Sequence, residues 1–156
     1  MKRKAHAVWN GPIQKGNGTL ELGSKAFKGS YSFASRFEHS TEDLENKIAG
    51  SRLEKENLTN PEELIGAAHA GCFSMALSLF LGEAGYEPDS IETDAEVNIE
   101  KQSEGFAITS IHLKTKAKVP QIDVESFKSY AEQAKDNCPV SQALAGTKIS
   151  LEAELL

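Results

Sequence analysis

The chain has 156 residues, the length of one domain with a substantial core, so we expect a single domain over 1–156. It carries 17 basic and 23 acidic side chains, a net charge of −6, which argues against nucleic acid or an anionic membrane as a partner. The basic N-terminus is not followed by an apolar stretch, so no secretory signal is indicated, and two cysteines are too few for a disulfide-stapled scaffold. We therefore expect a cytoplasmic location.

The first sixty residues predict a meander of short antiparallel strands. Strands over 4–9 and 19–22 are separated by glycine-rich turns. From Ser30 to Phe37, aromatic residues alternate with small and polar ones, which predicts a third strand. In that strand Arg36 would point away from the aromatic face, at the strand's end.

The segment over 37–60 is highly polar and longer than ordinary connections. It shows a weak helical pattern after Thr41, which would serve as an N-cap. We interpret the segment as a polar insertion or flap between the N-terminal sheet and the next helix. The alternatives of a functional flap and a tolerated surface insertion stay open.

A long helix is predicted from Asn60 to Gly85. Asn60 suits the N-cap, Pro61 the first turn, and Glu63 the third position of a capping box. The eighteen residues 64–81 carry no formal charge, and glycines follow them. Because apolar and small residues run all round this helix, we expect it to be buried.

An uncharged stretch of that length also meets the requirement for a membrane span. However, His69 and two serines interrupt it, its flanks are acidic, and no aromatic or basic anchors lie close to its ends. A core helix is therefore the preferred interpretation. The spacing of Gly66 with Ala70, and of Ala67 with Gly71, would allow a second helix to approach closely, for example the same helix of a partner chain.

The second half of the chain predicts strands around 97–99, over 111–119 and over 148–155, with a helix capped by Asp123 between the last two. His112 falls on the solvated face of its strand and is given no catalytic role. The core face of the helix is predicted to consist of Val124, Phe127, Ala131 and Ala134. The order of elements indicates an α+β fold in which antiparallel sheets pack around a long buried central helix.

The two cysteines differ in what their local sequence predicts. Cys138 precedes Pro139, and as the N-cap of a short helix it would face N–H groups that favour a thiolate. Cys72 lies well inside the long helix among apolar residues, which raises a thiol pKa and makes it unreactive unless a cation approaches. Local chemistry alone therefore nominates Cys138, while two incidental buried thiols remain the plain alternative.

The run over 60–77, with Ser35-Arg36-Phe37 before it and Asn137-Cys138-Pro139-Val140-Ser141 after it, closely resembles the OsmC family, which is related to the organic hydroperoxide resistance proteins. The similarity extends over nearly the whole chain, apart from the longer connection between Arg36 and Pro61. It implies a thiol-dependent peroxidase acting on organic hydroperoxides without a cofactor. It also implies an intertwined homodimer whose active site lies at the interface.

By this resemblance, Cys72 matches the peroxidatic cysteine and Cys138 the resolving one. Arg36 matches the arginine that stabilises the thiolate, and Glu62 the carboxylate that orients this arginine. A sulfenic acid on Cys72 would condense with Cys138 to a disulfide. An external dithiol would then reduce the disulfide, as lipoyl-type reductants do for relatives.

Helix geometry constrains this arrangement. Ten residues along one helix separate Glu62 from Cys72 by roughly 15 Å, too far for one small cluster. Either Arg36 spans the gap with an extended side chain, or residues of two subunits contribute to one site. We favour the second arrangement.

Two other classes of function stay open at this point. A non-enzymatic redox sensor or ligand-binding protein would also carry these residues, because family membership does not establish turnover. A zinc site is the other alternative, with His69 and Cys72 as neighbours on one helix face and Cys138 as a third ligand. The missing Cys-x-x-Cys pair makes that site the weaker one.

Overall fold

The computed structural model describes residues 1–37 and 58–156. The chain divides into two compact units, residues 1–64 and 65–156. The predicted helix after Thr41, and most of the polar segment over 37–60, lie outside the described residues. That the whole chain is one independent domain stays a prediction.

The first unit contains a three-stranded antiparallel sheet in the order β1, Ala5–Asn10; β2, Asn17–Leu22; and β3, Lys28–Ser32. The predicted antiparallel strands are therefore confirmed. Gly18 pairs with Tyr31 across the sheet, and a Cβ on this glycine would lie only 2.5 Å from the tyrosine ring. The absence of a side chain at this position thus lets the ring cover the middle strand.

The prediction of a strand through Phe37 is wrong, because β3 ends at Ser32 and a short helix α1, Phe33–Phe37, follows. Ser32 and Ser35 exchange hydrogen bonds between backbone N–H and hydroxyl groups, at 2.9 and 3.1 Å. These bonds turn the chain into the helix. Phe33 and Phe37, four residues apart, pack against each other with ring centroids 4.8 Å apart and ring planes tilted by 49°. Arg36 therefore lies in a helix and not at the end of a strand.

The long helix α2, Pro61–Glu83, begins where its capping signals predict. The side-chain oxygen of Asn60 accepts the N–H of Glu63 at 2.8 Å, so the N-cap is confirmed. The carboxylate of Glu63 accepts the hydroxyl of Thr59 at 2.8 Å, which holds the residue before the cap. The start of the helix is thus fixed by side chains on both sides of Asn60.

The second unit is built on a sheet of three strands in the order β4, Ser90–Gln102; β5, Gly105–Lys118; and β6, Lys148–Leu155. The pairing of β4 with β5 is antiparallel, whereas β5 and β6 are parallel. The expectation of antiparallel pairing is wrong for β6. Parallel neighbours need a long crossover, and helices α3, Val124–Asn137, and α4, Pro139–Ala143, supply it.

The core of the second unit lies between this sheet and the helices. Asp123 caps α3 by accepting the N–H of Ser126 at 2.9 Å, as predicted. The predicted core face of α3 is confirmed except at Val124, which is half exposed in the first turn. The buried apolar side chains are Phe73, Leu77, Leu81, Ile111, Leu113, Ala117, Val119, Ile122, Phe127, Ala131 and Ala134.

Helix α2 is buried on one side only, so the expectation of burial all round is wrong for the single chain. Gly66 lies on the buried side, where a Cβ would be 3.4 Å from β4. On the opposite side Met75 is 77% exposed and Leu79 58% exposed. We call this exposed stripe the open face of α2, and it consists of Ala67, Gly71, Met75, Ser78, Leu79 and Gly82.

By length and composition, α2 is the one helix among the described residues that would suffice to cross a membrane. Core helices of soluble proteins meet the same criterion, so this finding by itself is weak evidence for a span.

Candidate functional site

The two cysteines of the second unit lie side by side as free thiols. Cys72 lies near the middle of α2 and is partly exposed, whereas Cys138 is fully buried at the N-cap of α4, followed by Pro139. Their side chains are in hydrogen-bond contact although 66 residues separate them in the sequence. This contact is the geometry that an intramolecular disulfide requires as its starting point.

The environment shifts the pKa values of the two thiols in opposite directions. Burial raises the pKa of Cys72, and the hydrogen bond with Cys138 raises it further. Burial also raises the pKa of Cys138, but the Cys72 hydrogen bond and groups of Ser141 and Val140 outweigh burial and leave it below its ordinary value. Within this unit Cys138 is therefore the thiol that ionises more readily, in agreement with the local sequence.

Arg36 and Glu62 form a close ion pair in the first unit. The guanidinium donates from Nε to both carboxylate oxygens, at 2.9 and 3.2 Å, and from Nη2 to Oε1 at 2.7 Å. The Glu62 side chain is 8% exposed and that of Arg36 is 38% exposed. The guanidinium also lies 5.0 Å from the ring centroid of Phe37. A carboxylate thus fixes the direction of a positive charge that still reaches solvent.

The four residues nominated by resemblance therefore form two pairs. Arg36 and Glu62 belong to the first unit, while Cys72 and Cys138 belong to the second. Each pair is built without the other. Burial raises the pKa of Cys72 and so opposes its ionisation. A cation beside this thiol would lower the pKa again, because a positive charge favours the thiolate.

A fifth group, which sequence reasoning had considered only as a metal ligand, is His69. It is fully buried on α2, and its Nε2 lies 2.8 Å from Oγ of Ser141. Its Nδ1 has no hydrogen-bond partner in the part of the chain that the structure describes. Burial lowers the pKa of His69 and so favours neutral imidazole. No local pattern links two residues that lie 72 positions apart.

The metal alternative gains no support from this arrangement. Within residues 1–37 and 58–156, no three side chains of the types His, Cys, Asp and Glu gather as a metal site would require. His69 instead directs its Nε2 to the hydroxyl of Ser141.

Together, the fold and the thiol pair define a small α+β protein in which two free cysteines lie in side-chain contact. Residues 54–153 match the family model described as OsmC-like protein. The chain therefore belongs to the OsmC-like family, as its resemblance predicted.

The relatives agree with this assignment. The chain is 46% identical over 156 residues to a protein of Escherichia coli K12 named Peroxiredoxin OsmC, covering 99% of this chain and 97% of that one. It is 30% identical to the organic hydroperoxide resistance protein OhrB of Bacillus subtilis, covering 72% and 81%. The solved structure of an OsmC-like protein of unknown function from Vibrio cholerae shares the fold, with a TM-score of 0.71 at 17% identity, covering 98% of this chain and 99% of that one.

Proposed function

We propose that this protein is a peroxidase that reduces organic hydroperoxides to alcohols through Cys72 and Cys138. The observation that carries the proposal is the contact between the two thiols, in a chain 46% identical to a protein named Peroxiredoxin OsmC. A sulfur that becomes oxidised at Cys72 has its reaction partner already beside it.

The reaction has three balanced steps. The Cys72 thiolate attacks the terminal, hydrogen-bearing oxygen of R–O–O–H. An S–O bond forms, giving the sulfenic acid, while the O–O bond breaks and the alkoxide takes up a proton to leave as alcohol. The Cys138 thiolate then attacks the sulfenic acid, forming the S–S bond and releasing hydroxide, which becomes water. An external dithiol, for which a lipoyl-type group is our candidate, reduces the disulfide by two thiol exchanges.

The first step needs a positive charge at Cys72, because burial raises the pKa of this thiol. We assign that role to Arg36, whose guanidinium is held by Glu62 through three contacts of 2.7 to 3.2 Å. An arginine fixed in this way favours the thiolate and also the negative charge that develops on the leaving oxygen. In the proposed homodimer, one subunit supplies the Arg36–Glu62 ion pair of a site and the other subunit supplies its two thiols.

The open face of α2 supports the proposed homodimer. Its side chains are apolar or small and carry no charge, and a stable soluble chain seldom leaves such a stripe in water. Among the described residues outside its own helical turn, a Cβ on Gly71 would meet no atom within 4 Å, so the backbone is open to a second helix. A second copy of α2 matches this face in composition and length.

A charge on the open face should separate the subunits. We expect Met75→Glu to turn a dimer into a monomer at micromolar concentration, since it buries an unpaired carboxylate at the contact. Light scattering after size exclusion measures the mass. Val124→Glu is the matched control, because Val124 is also an exposed apolar side chain but lies on α3. An unchanged mass for Met75→Glu would contradict this dimer.

Rapid-mixing kinetics test the function itself. Reduced protein is mixed with cumene hydroperoxide or with hydrogen peroxide, and recycling is driven by dihydrolipoamide or by the monothiol 2-mercaptoethanol. We expect faster oxidation by the organic hydroperoxide, one disulfide per chain, and turnover with the dithiol. If the protein thiols react no faster than free cysteine at the same pH, the peroxidase proposal fails.

A further inference from the structure

We propose that His69 and Ser141 form a hydrogen-bonded chain to Cys138 that prepares this cysteine as the nucleophile of the disulfide-forming step. The inference rests on the proposed function and deepens it, since it assigns residues to the second half of the reaction. Ser141 touches a reacting sulfur and is a catalytic residue. His69 acts through Ser141 and is a positioning residue.

The contacts of His69 define its role. It lies on the buried side of α2, and its Nε2 is 2.8 Å from the Ser141 oxygen, while Nδ1 has no partner among the described residues. Burial lowers the pKa of His69, so the ring is neutral and carries one proton. With that proton on Nε2, the imidazole donates to the Ser141 oxygen, and Nδ1 remains a bare nitrogen.

The contacts of Ser141 complete the chain. Because its oxygen accepts from His69, its own hydroxyl proton is left to donate to the neighbouring sulfur of Cys138. Ser141 itself is buried, so water does not compete for either bond. A hydroxyl that donates to a thiolate makes a charge-assisted hydrogen bond, which stabilises the ionised form. The orientation of one hydroxyl thus depends on a histidine that lies 72 residues away.

Among the described residues, few other groups act on the sulfur of Cys138. From its own helix, the N–H groups of Val140 and Ser141 act on the sulfur, and from α2 the thiol of Cys72 donates to it. When Cys72 becomes a sulfenic acid, that thiol donor is consumed in the reaction. Ser141 is then the side-chain donor that remains for the Cys138 thiolate, among the groups found to act on it.

The disulfide-forming step conserves atoms and electrons. The electron pair of the Cys138 thiolate forms the S–S bond, the S–O bond of the Cys72 sulfenic acid breaks, and hydroxide leaves and is protonated to water. Cys138 is oxidised and Cys72 is reduced. No further oxidant or reductant enters.

Four variants separate orientation from mere packing. Ser141→Ala removes the donor, and we expect disulfide formation at pH 7 to slow about tenfold. His69→Leu should slow it about three- to tenfold, while His69→Gln, which keeps an N–H near the position of Nε2, should restore the rate to within about twofold. Ser74→Ala is the matched control, because it removes a partly buried hydroxyl on α2 that bonds to Thr93 at 2.9 Å.

The step is followed by acid quenching and intact-mass analysis after one equivalent of cumene hydroperoxide, which distinguishes the sulfenic acid from the disulfide. The difference in the rate of disulfide formation between Ser141→Ala and the unaltered chain should shrink as pH rises. At high pH, Cys138 ionises without the hydrogen bond from Ser141. A packing defect would instead lower the rate equally at each pH. The double variant with His69→Leu should be no slower than Ser141→Ala alone.

Two results would overturn the inference. One is a Ser141→Ala rate and pH profile like those of the unaltered chain; the other is His69→Gln as slow as His69→Leu. High concentrations of diamide provide a second route to the same disulfide, limited by attack of Cys138 on the Cys72 adduct. If hydroperoxide fails to oxidise Cys72 but the diamide rates still follow the expected order, the proposed function fails and this inference stands.

Discussion

Replacing Cys72 by serine is expected to lower the rate constant for cumene hydroperoxide at least about a thousandfold. A serine hydroxyl stays protonated at neutral pH and is a poor nucleophile toward peroxide oxygen, so the remaining site can bind substrate but not reduce it. The rate is measured under single-turnover conditions, where neither disulfide formation nor recycling limits the signal. The partial exposure of Cys72 would give the hydroperoxide access to this residue.

Cys138→Ser is the informative counterpart, because the pKa is lowered for Cys138 and raised for Cys72, so Cys138 could itself be the thiol that attacks the hydroperoxide. We expect this variant to consume about one equivalent of hydroperoxide at close to the original rate and to gain one oxygen in mass without forming a disulfide. If Cys138→Ser loses the first turnover while Cys72→Ser keeps it, the roles must be exchanged. The N-cap position of Cys138 would then identify the peroxide-reactive cysteine better than the family resemblance does.

Replacing Arg36 by methionine is expected to slow oxidation of Cys72 about a hundredfold at pH 7. An opposite charge nearby lowers an acidic pKa by about one to three units, and its loss removes the corresponding fraction of thiolate. The rate should recover as pH rises toward the raised pKa of the buried Cys72 thiol, where the thiolate forms without the arginine. Arg36→Lys should be intermediate, because lysine keeps the charge but not the fork that Glu62 holds.

Controls and mixed dimers sharpen this result. Arg3→Met changes an exposed arginine near the N-terminus and should leave the rate unchanged. Glu62→Gln should cost less than loss of Arg36, about tenfold, since the charge remains but its orientation is weakened. In dimers that combine Arg36→Ala with Cys72→Ser chains, one intact site forms only if Arg36 and Cys72 come from different subunits. No activity in such mixtures would place both residues in the same chain.

Several parts of the fold follow directly from local sequence. Asn60 and Asp123 cap α2 and α3 because each side-chain oxygen meets an N–H three residues later, a contact that needs no distant partner. The alternation in β5 was equally clear, since it reflects one buried and one solvated face. Cys138 and Pro139 likewise signal the start of α4 within a few residues.

Ambiguous local patterns and pairings between distant residues were not predictable in the same way. The serine pair that ends β3 at Ser32 competes with an aromatic alternation that also fits a strand, and the i, i+4 spacing of Phe33 and Phe37 fits a helix equally well. The parallel pairing of β6 depends on where the crossover helices return it. The link between His69 and Ser141 joins two elements far apart in the chain, so only the folded structure reveals it.

The long sequence separation of the two sulfurs has a consequence during protein synthesis. At about 5–20 residues per second, the ribosome makes Cys72 roughly 3–13 s before it makes Cys138, 66 residues later. A nascent chain therefore carries the first thiol for a time without the second. Under peroxide stress, a sulfenic acid formed in that interval has no cysteine of its own chain to rescue it from irreversible oxidation.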